Sequence, residues 1–180
     1  MVGEYNAEDG EKLLNLARES IEHEFTGKEI GKLEGKQFMQ LRGVFVTLHK
    51  KGKLRGCIGI PYPVKKIYDA VVDAAKNAGF SDPRFPSLQE KELEDVKIEI
   101  SILTSPQEVK DAKEIVIGKD GLMCNYLGYQ GLLLPQVASE YKMSRIEFLE
   151  ALCNKAGLPK DKWQDKNFKL WKFQAQIFSE

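Results

Sequence analysis

Val96, Ile98, Ile100 and Ile102 alternate with Lys97, Glu99 and Ser101, and this alternation constrains the fold more than any other feature of the chain. Successive strand residues point to opposite sides, so the segment is a strand with one apolar and one polar face. An apolar sheet face must be covered. Two stretches with helical periodicity can do this. From about Ala7 to Phe25, Leu13, Leu14, Ala17, Ile21 and Phe25 recur at three- and four-residue steps; from Lys66 to Ala78, Ile67, Val71, Ala74, Ala75 and Ala78 line one side, with Gly79 placed to stop the helix. The fold class this implies is α+β.

A second β-rich signal supplies neighbours for that strand. Val44–His49 and Leu54–Ile60 flank Lys50-Lys51-Gly52-Lys53 and read as a hairpin. Val44, Val46, Leu48, Leu54, Ile58 and Ile60 are all even-numbered and apolar, so burying them together requires even to pair with even. A three-residue loop Lys50-Lys51-Gly52, with glycine left-handed in third place, gives that register. Phe45, Thr47, His49, Arg55, Cys57 and Gly59 then share the opposite face. The C-terminal run also alternates, Trp171, Phe173, Ala175 and Ile177 against Lys172, Gln174 and Gln176, and is expected in the same main sheet.

Residues from about 106 to 165 carry their own signals: strands at Ile115–Ile117, Leu122–Tyr126 and Gly131–Leu134, then two helices. The second helix opens on Ser144-Arg145-Ile146-Glu147, a capping-box pattern, and stops near Gly157. The reading is a large lobe of residues 1–105 plus 166–180, interrupted by a small lobe of residues 106–165, with a cleft between them as the expected ligand site.

Lys plus Arg balances Asp plus Glu, 27 against 27, so no net field gathers polyanions or anionic membrane, and nucleic acid is not an expected partner. No apolar stretch approaches a membrane span, and Met1–Tyr5 lacks the pattern of a secretory leader, so the expected location is the cytoplasm. Cys57, Cys124 and Cys153 are odd in number and widely spaced, which fits free thiols; with no CxxC, HExxH or Cys/His cluster, no metal or other cofactor is expected.

The run Leu54-Arg55-Gly56-Cys57-Ile58-Gly59 resembles the six-residue signature of the AMMECR family, named for the Alport, midface-hypoplasia and elliptocytosis chromosomal region. Val44–Leu48, Phe80–Pro86 and Leu133–Ala138 are similar to further stretches of that family, in the same order, so the resemblance covers nearly the whole chain. Ser87 departs from it, standing where many relatives have another proline. The resemblance implies two unequal α+β lobes, each with an antiparallel sheet, with the signature facing the groove between them. It implies no assigned reaction. Memo-like and radical S-adenosylmethionine proteins are partners it suggests by association.

Each candidate residue carries two readings. Cys57 is a nucleophile activated by nearby cations, with Arg55 and His49 expected on its face, or a small apolar filler of a strand. Arg55 clamps an anionic ligand or pairs with a neighbouring acid. Gly56 and Gly59 mark a bulge, or a close approach by a backbone or a ligand. His49 is a proton shuttle or a surface residue; Asp82 and Arg84 brace their loop or touch a ligand; Gln136 faces the groove or caps a helix. Cys124 and Cys153 fill cores. The functional expectation is a module binding a protein, peptide or modified residue through Leu54–Gly59 together with Thr47, Asp82, Arg84 and Gln136. The alternative is a thiol-dependent enzyme using Cys57 and His49.

Overall fold

A computed structural model of the chain describes residues 5–180; Met1–Glu4, part of the stretch read above for leader character, lie outside the described residues. The chain divides into two compact units, one formed by residues up to Leu103 with Gln176–Glu180, the other by Thr104–Ala175. The architecture is α+β with two four-stranded sheets.

In the first unit, α1 (Ala7–Thr26) starts at a capping box in which Asn6 Oδ1 accepts the Asp9 N–H and Asp9 accepts the Asn6 N–H. The sheet follows the order β2 (Lys53–Ile60), β1 (Val44–Lys50), β3 (Val96–Leu103), β8 (Ala175–Ser179). α2 (Ile67–Phe80) joins α1 on one face of it. Val44, Val46, Leu48, Ile98, Ile100 and Ile102 form one core with Leu13, Leu16, Ala17 and Ile21 of α1 and with the small residues Ala70, Ala74, Ala75 and Ala78 of α2. Alanines at these positions let the helix lie close to the sheet. α2 runs past Gly79 and ends at Ser81, just before Pro83; the Gly79 carbonyl instead accepts the Leu88 N–H at 2.8 Å.

The even-with-even register holds for most of the hairpin: Val44 faces Ile60, Val46 faces Ile58 and Leu48 faces Gly56. Its tip differs from expectation. His49 pairs with Leu54 and Lys50 with Lys53, so the loop is the two residues Lys51-Gly52, with φ of 51° and 73°. Positive φ at both positions is the type I′ geometry that matches strand twist. A two-residue loop shifts the expected pairing by one, and a bulge that leaves Arg55 without a partner on β1 shifts it by one more in the same sense, so even again faces even but in a register two residues from that of a three-residue loop. Leu54 therefore leaves the apolar face and is 43% exposed.

The second unit has a sheet ordered β4 (Gln107–Glu108), β7 (Lys169–Phe173), β5 (Gly121–Tyr126), β6 (Tyr129–Leu133), every neighbour antiparallel. α3 (Pro135–Glu140) is short. α4 (Arg145–Lys155) starts at the expected capping box, Ser144 N–H donating to Glu147 at 2.7 Å and Glu147 N–H to Ser144 Oγ at 3.3 Å. Leu122, Cys124, Phe148, Leu149, Leu152 and Cys153 form its core. Ile115–Ile117 is a turn rather than a strand: the buried Asp120 carboxylate accepts the Val116 N–H at 2.9 Å, and Ile115 plugs the core.

The C-terminal alternation is not one strand of one sheet. β7 pairs with β5, whereas β8 lies beside β3, and the change falls at Gln174, whose N–H and C=O bond Thr104 at 2.9 and 2.8 Å. Facing inverts there. Phe173 is buried, but Ile177 is 48% exposed and Phe178 packs against Gly10 of α1. A single period-2 pattern reads through this junction because both strands have one covered face.

Candidate functional site

The site is built on the face of the first sheet away from the helices. In register across β2, β1 and β3, one row holds Cys57, Thr47 and Glu99, and the next holds Gly59, Phe45 and Ser101. Thr47 Oγ1 donates to Cys57 Sγ at 3.3 Å, and both side chains are half-buried.

β2 is an edge strand, and an edge leaves backbone groups unpaired. At Cys57 the loop after α2 takes that place. Asp82 Oδ2 accepts the Cys57 N–H at 2.9 Å, and Arg84 Nη2 donates to the Cys57 carbonyl at 3.0 Å. Arg84 also grips Asp82 through Nε and Nη2, at 2.9 and 2.7 Å. One ion pair thus completes both backbone bonds that a further strand would have made. These donors, the Arg84 guanidinium first, hold the buried Asp82 carboxyl far below the usual carboxylate range. Arg84 is raised in turn, chiefly by Asp82 and also by the Cys57 thiol beside it, while its side chain is 54% exposed.

Arg55 turns to other partners. Its Nε and Nη2 donate to the two oxygens of Glu92 at 3.2 and 3.0 Å, and Nη2 also reaches the Ser87 carbonyl at 3.4 Å. Glu92 accepts Lys50 as well, at 2.9 Å, and both members of the Arg55–Glu92 pair are 12% exposed. The two cations and the Gln89 N–H, Arg55 foremost, hold Glu92 at about 2. The bulge thus makes Arg55 a clamp between β2 and the Glu90–Glu92 turn.

The two glycines of the motif are close-approach positions, and the approaching atoms belong to the chain. A Cβ on Gly56 would lie 2.1 Å from the Ala78 carbonyl oxygen at the end of α2; one on Gly59 would meet the Phe45 ring at 2.3 Å. Ile58 packs into the core. What the motif leaves outward is the Leu54 side chain at the hairpin tip and the half-buried thiol of Cys57.

His49 stands across from Leu54 and Lys97, on the far side of the bulge from the Thr47–Cys57 pair, and neither ring nitrogen is hydrogen-bonded to the thiol. Gln136 is in the second unit, in the first turn of α3, and makes no capping hydrogen bond. Sequence reasoning missed Glu99 and the edge-capping role of Asp82 and Arg84. Glu99 was findable from the alternation of β3, since it shares the polar face; the edge cap needed the strand order. Cys124 and Cys153 lie buried in the second core, and burial pushes Cys124 up to about 11 and Cys153 in the same direction. A groove of about 410 Å³ between α1 and the end of β8, lined by Gly10, Leu14 and Phe178, includes no residue of the motif. Among the described residues no cluster of His, Cys, Asp or Glu fits a metal ion, and no helix is long and apolar enough to cross a membrane.

Fold and site together define a two-unit α+β protein whose signature strand packs glycine against helix and ring and turns one cysteine outward. The chain belongs to the AMMECR1 family, whose model matches residues 14–178. It is 45% identical to a protein of Methanothermobacter thermautotrophicus over 96% of this chain and 95% of that one. A protein of Aquifex aeolicus is 43% identical over 96% and 93%. The crystal structure of the uncharacterised protein PH0010 from Pyrococcus horikoshii superposes with a TM-score of 0.86 at 40% identity, covering 95% of this chain and 91% of that one.

Proposed function

We propose that the chain is a binding module that takes a peptide or a modified residue of a protein on the row Cys57–Thr47–Glu99, with Arg84 at its edge. The observation that carries this reading is how little of the motif is left to act. Arg55, Gly56, Ile58 and Gly59 are committed to Glu92, the Ala78 backbone, the core and the Phe45 ring, so they fix the position of the thiol. A rigid strand with its edge capped at the same residue presents that thiol with little ordering cost on binding. The hydroxyl of Thr47 and the carboxylate of Glu99 add a donor and an acceptor for an extended backbone or a polar side chain.

The test is peptide display selection on the native protein, with the enriched peptides measured on Thr47→Val, Glu99→Gln and Cys57→Ser. These changes keep shape and leave the Gly56 and Gly59 contacts intact. Loss of binding in Thr47→Val and Glu99→Gln supports the reading; peptides that bind all three variants as well as the parent remove it.

Thiol chemistry at Cys57 is the second reading, and a specific contact favours it: the sulfur accepts a hydrogen bond from Thr47 and lies beside the Arg84 guanidinium. In that reading Arg84, and not Arg55 or His49, is the cation at the sulfur. Memo-like and radical S-adenosylmethionine proteins, the associates suggested by the family resemblance, are the partners to try first under either reading.

A further inference from the structure

A second surface lies elsewhere in the first unit, where two short segments run side by side. Arg42 N–H donates to the Lys65 carbonyl at 3.3 Å, Ile67 N–H donates to the Gln40 carbonyl at 3.0 Å, and Leu41 and Lys66 face each other across an antiparallel bridge. Gly43 pins the join, since a Cβ there would lie 2.4 Å from the Pro61 carbonyl oxygen. These segments expose four large apolar side chains: Met39 at 47%, Leu41 at 50%, Tyr62 at 36% and Val64 at 68%. Single exposed apolar residues need no explanation, but four gathered on two hydrogen-bonded segments do.

The charge carried by the two segments themselves has one sign, with Asp73 and Asp69 of α2 beside Lys65. Residues 36–42 and 61–66 include Lys36, Arg42, Lys65 and Lys66 and no acidic residue, in a chain whose total charge is zero. Lys65 is paired with Asp73 of α2. Among the described residues, Lys36 and Lys66 have no carboxylate partner. Pro61 and Pro63 hold φ on either side of Tyr62, so the surface is pre-organised.

From these observations we infer that the Met39–Leu41–Tyr62–Val64 surface docks an acidic segment of a partner protein, with apolar side chains anchoring and carboxylates meeting Lys36 and Lys66. A second copy of this chain fits poorly, because it would set the same cations against each other. This surface shares no residue with the Cys57 row, and the inference stands apart from the reading of that row.

The experiment uses the full chain and two fluorescein-labelled peptides of the repeat Glu-Leu-Leu-Glu-Glu-Phe-Leu, one as written and one with lysine for every glutamate, read by anisotropy. The acidic peptide is expected to bind and its lysine counterpart not. Lys36→Glu/Lys66→Glu and Leu41→Ser/Val64→Ser are each expected to weaken binding about tenfold or more, with thermal midpoints unchanged because all four positions are exposed, and Cys57→Ser is expected to bind as the parent does. Equal binding of both peptides, or full binding by both double variants, overturns the inference. So does variant-sensitive capture of phosphatidylserine vesicles without peptide binding, or a dimer in sedimentation that Leu41→Ser/Val64→Ser abolishes. Should a double variant lower the thermal midpoint, Val64→Ser alone, at the most exposed position, takes its place with the same two outcomes.

Discussion

Arg55→Met tests the assignment of the motif arginine to the fold. The methionine keeps much of the aliphatic stem and removes the guanidinium, leaving Glu92 with Lys50 and the Gln89 N–H. Depression of Glu92 from 4.5 to about 2 corresponds to roughly 3.5 kcal/mol, at about 1.4 kcal/mol per unit, from its partners net of the desolvation that opposes them. Arg55 is the largest of these, through two charge-assisted bonds, while its Nη1 is buried without an acceptor and offsets part of the gain. A loss of about 2 kcal/mol follows for Arg55→Met at neutral pH, and a coupling of about 1 to 2 kcal/mol in the double-mutant cycle with Glu92→Gln. The folded pKa of Glu92 lies below its unfolded value, so this stabilisation is complete above about 4.5 and fades as pH falls toward about 2. The Arg55→Met penalty should shrink over that window. Both tryptophans, Trp163 and Trp171, lie in the second unit, so the assay is amide hydrogen exchange of β1 and β3 rather than tryptophan fluorescence. An Arg55→Met protein within about 0.5 kcal/mol of the parent at pH 7, with no coupling to Glu92, would refute the clamp and return Arg55 to the ligand-binding candidates.

The other predictions follow from single contacts. Gly56→Ala drives a methyl into the Ala78 backbone and should cost about 3 kcal/mol, measured by denaturant midpoint with circular dichroism; Gly59→Ala, which meets the movable Phe45 ring, should cost less. Lys51→Asn relieves a left-handed lysine in the turn and should stabilise by about 0.5 to 1 kcal/mol in the same assay. Ser144→Ala removes the α4 cap and should cost about 1 kcal/mol, followed by tryptophan fluorescence of the second unit.

The sequence made most of the first sheet legible, because alternation and helical periodicity are local signals that agreed with the packing. Parity put Val44, Val46 and Leu48 on one face with Ile58 and Ile60, as the structure has them, but the partners differ: a three-residue loop sets Val44 opposite Ile58, and the structure pairs it with Ile60. The same argument failed at the tip because parity is blind to a slip of two: a two-residue turn and a one-residue bulge each shift the pairing by one, so even meets even again beyond the bulge while Lys53, Leu54 and Arg55 change sides. Arg55 thereby left the face on which it was expected beside Cys57. At Gln174 a continuous alternation concealed a change of sheet, since nothing local tells one half-covered strand from two in succession. The site was half legible. Cys57 and Thr47 share a face as the register required, but the capping of the Cys57 backbone by Asp82 and Arg84 depends on β2 being an edge, which is a property of strand order.

Alkylation of the native protein by iodoacetamide, followed at each cysteine by mass spectrometry, tests most directly whether the motif exists to present Cys57. The account predicts that Cys57 is modified in the folded state, and more slowly in Thr47→Val, where the donor that stabilises the thiolate is gone, while Cys124 and Cys153 wait for unfolding. Modification of Cys57 only on unfolding, in step with the two buried cysteines, would contradict it and make the signature a packing element alone.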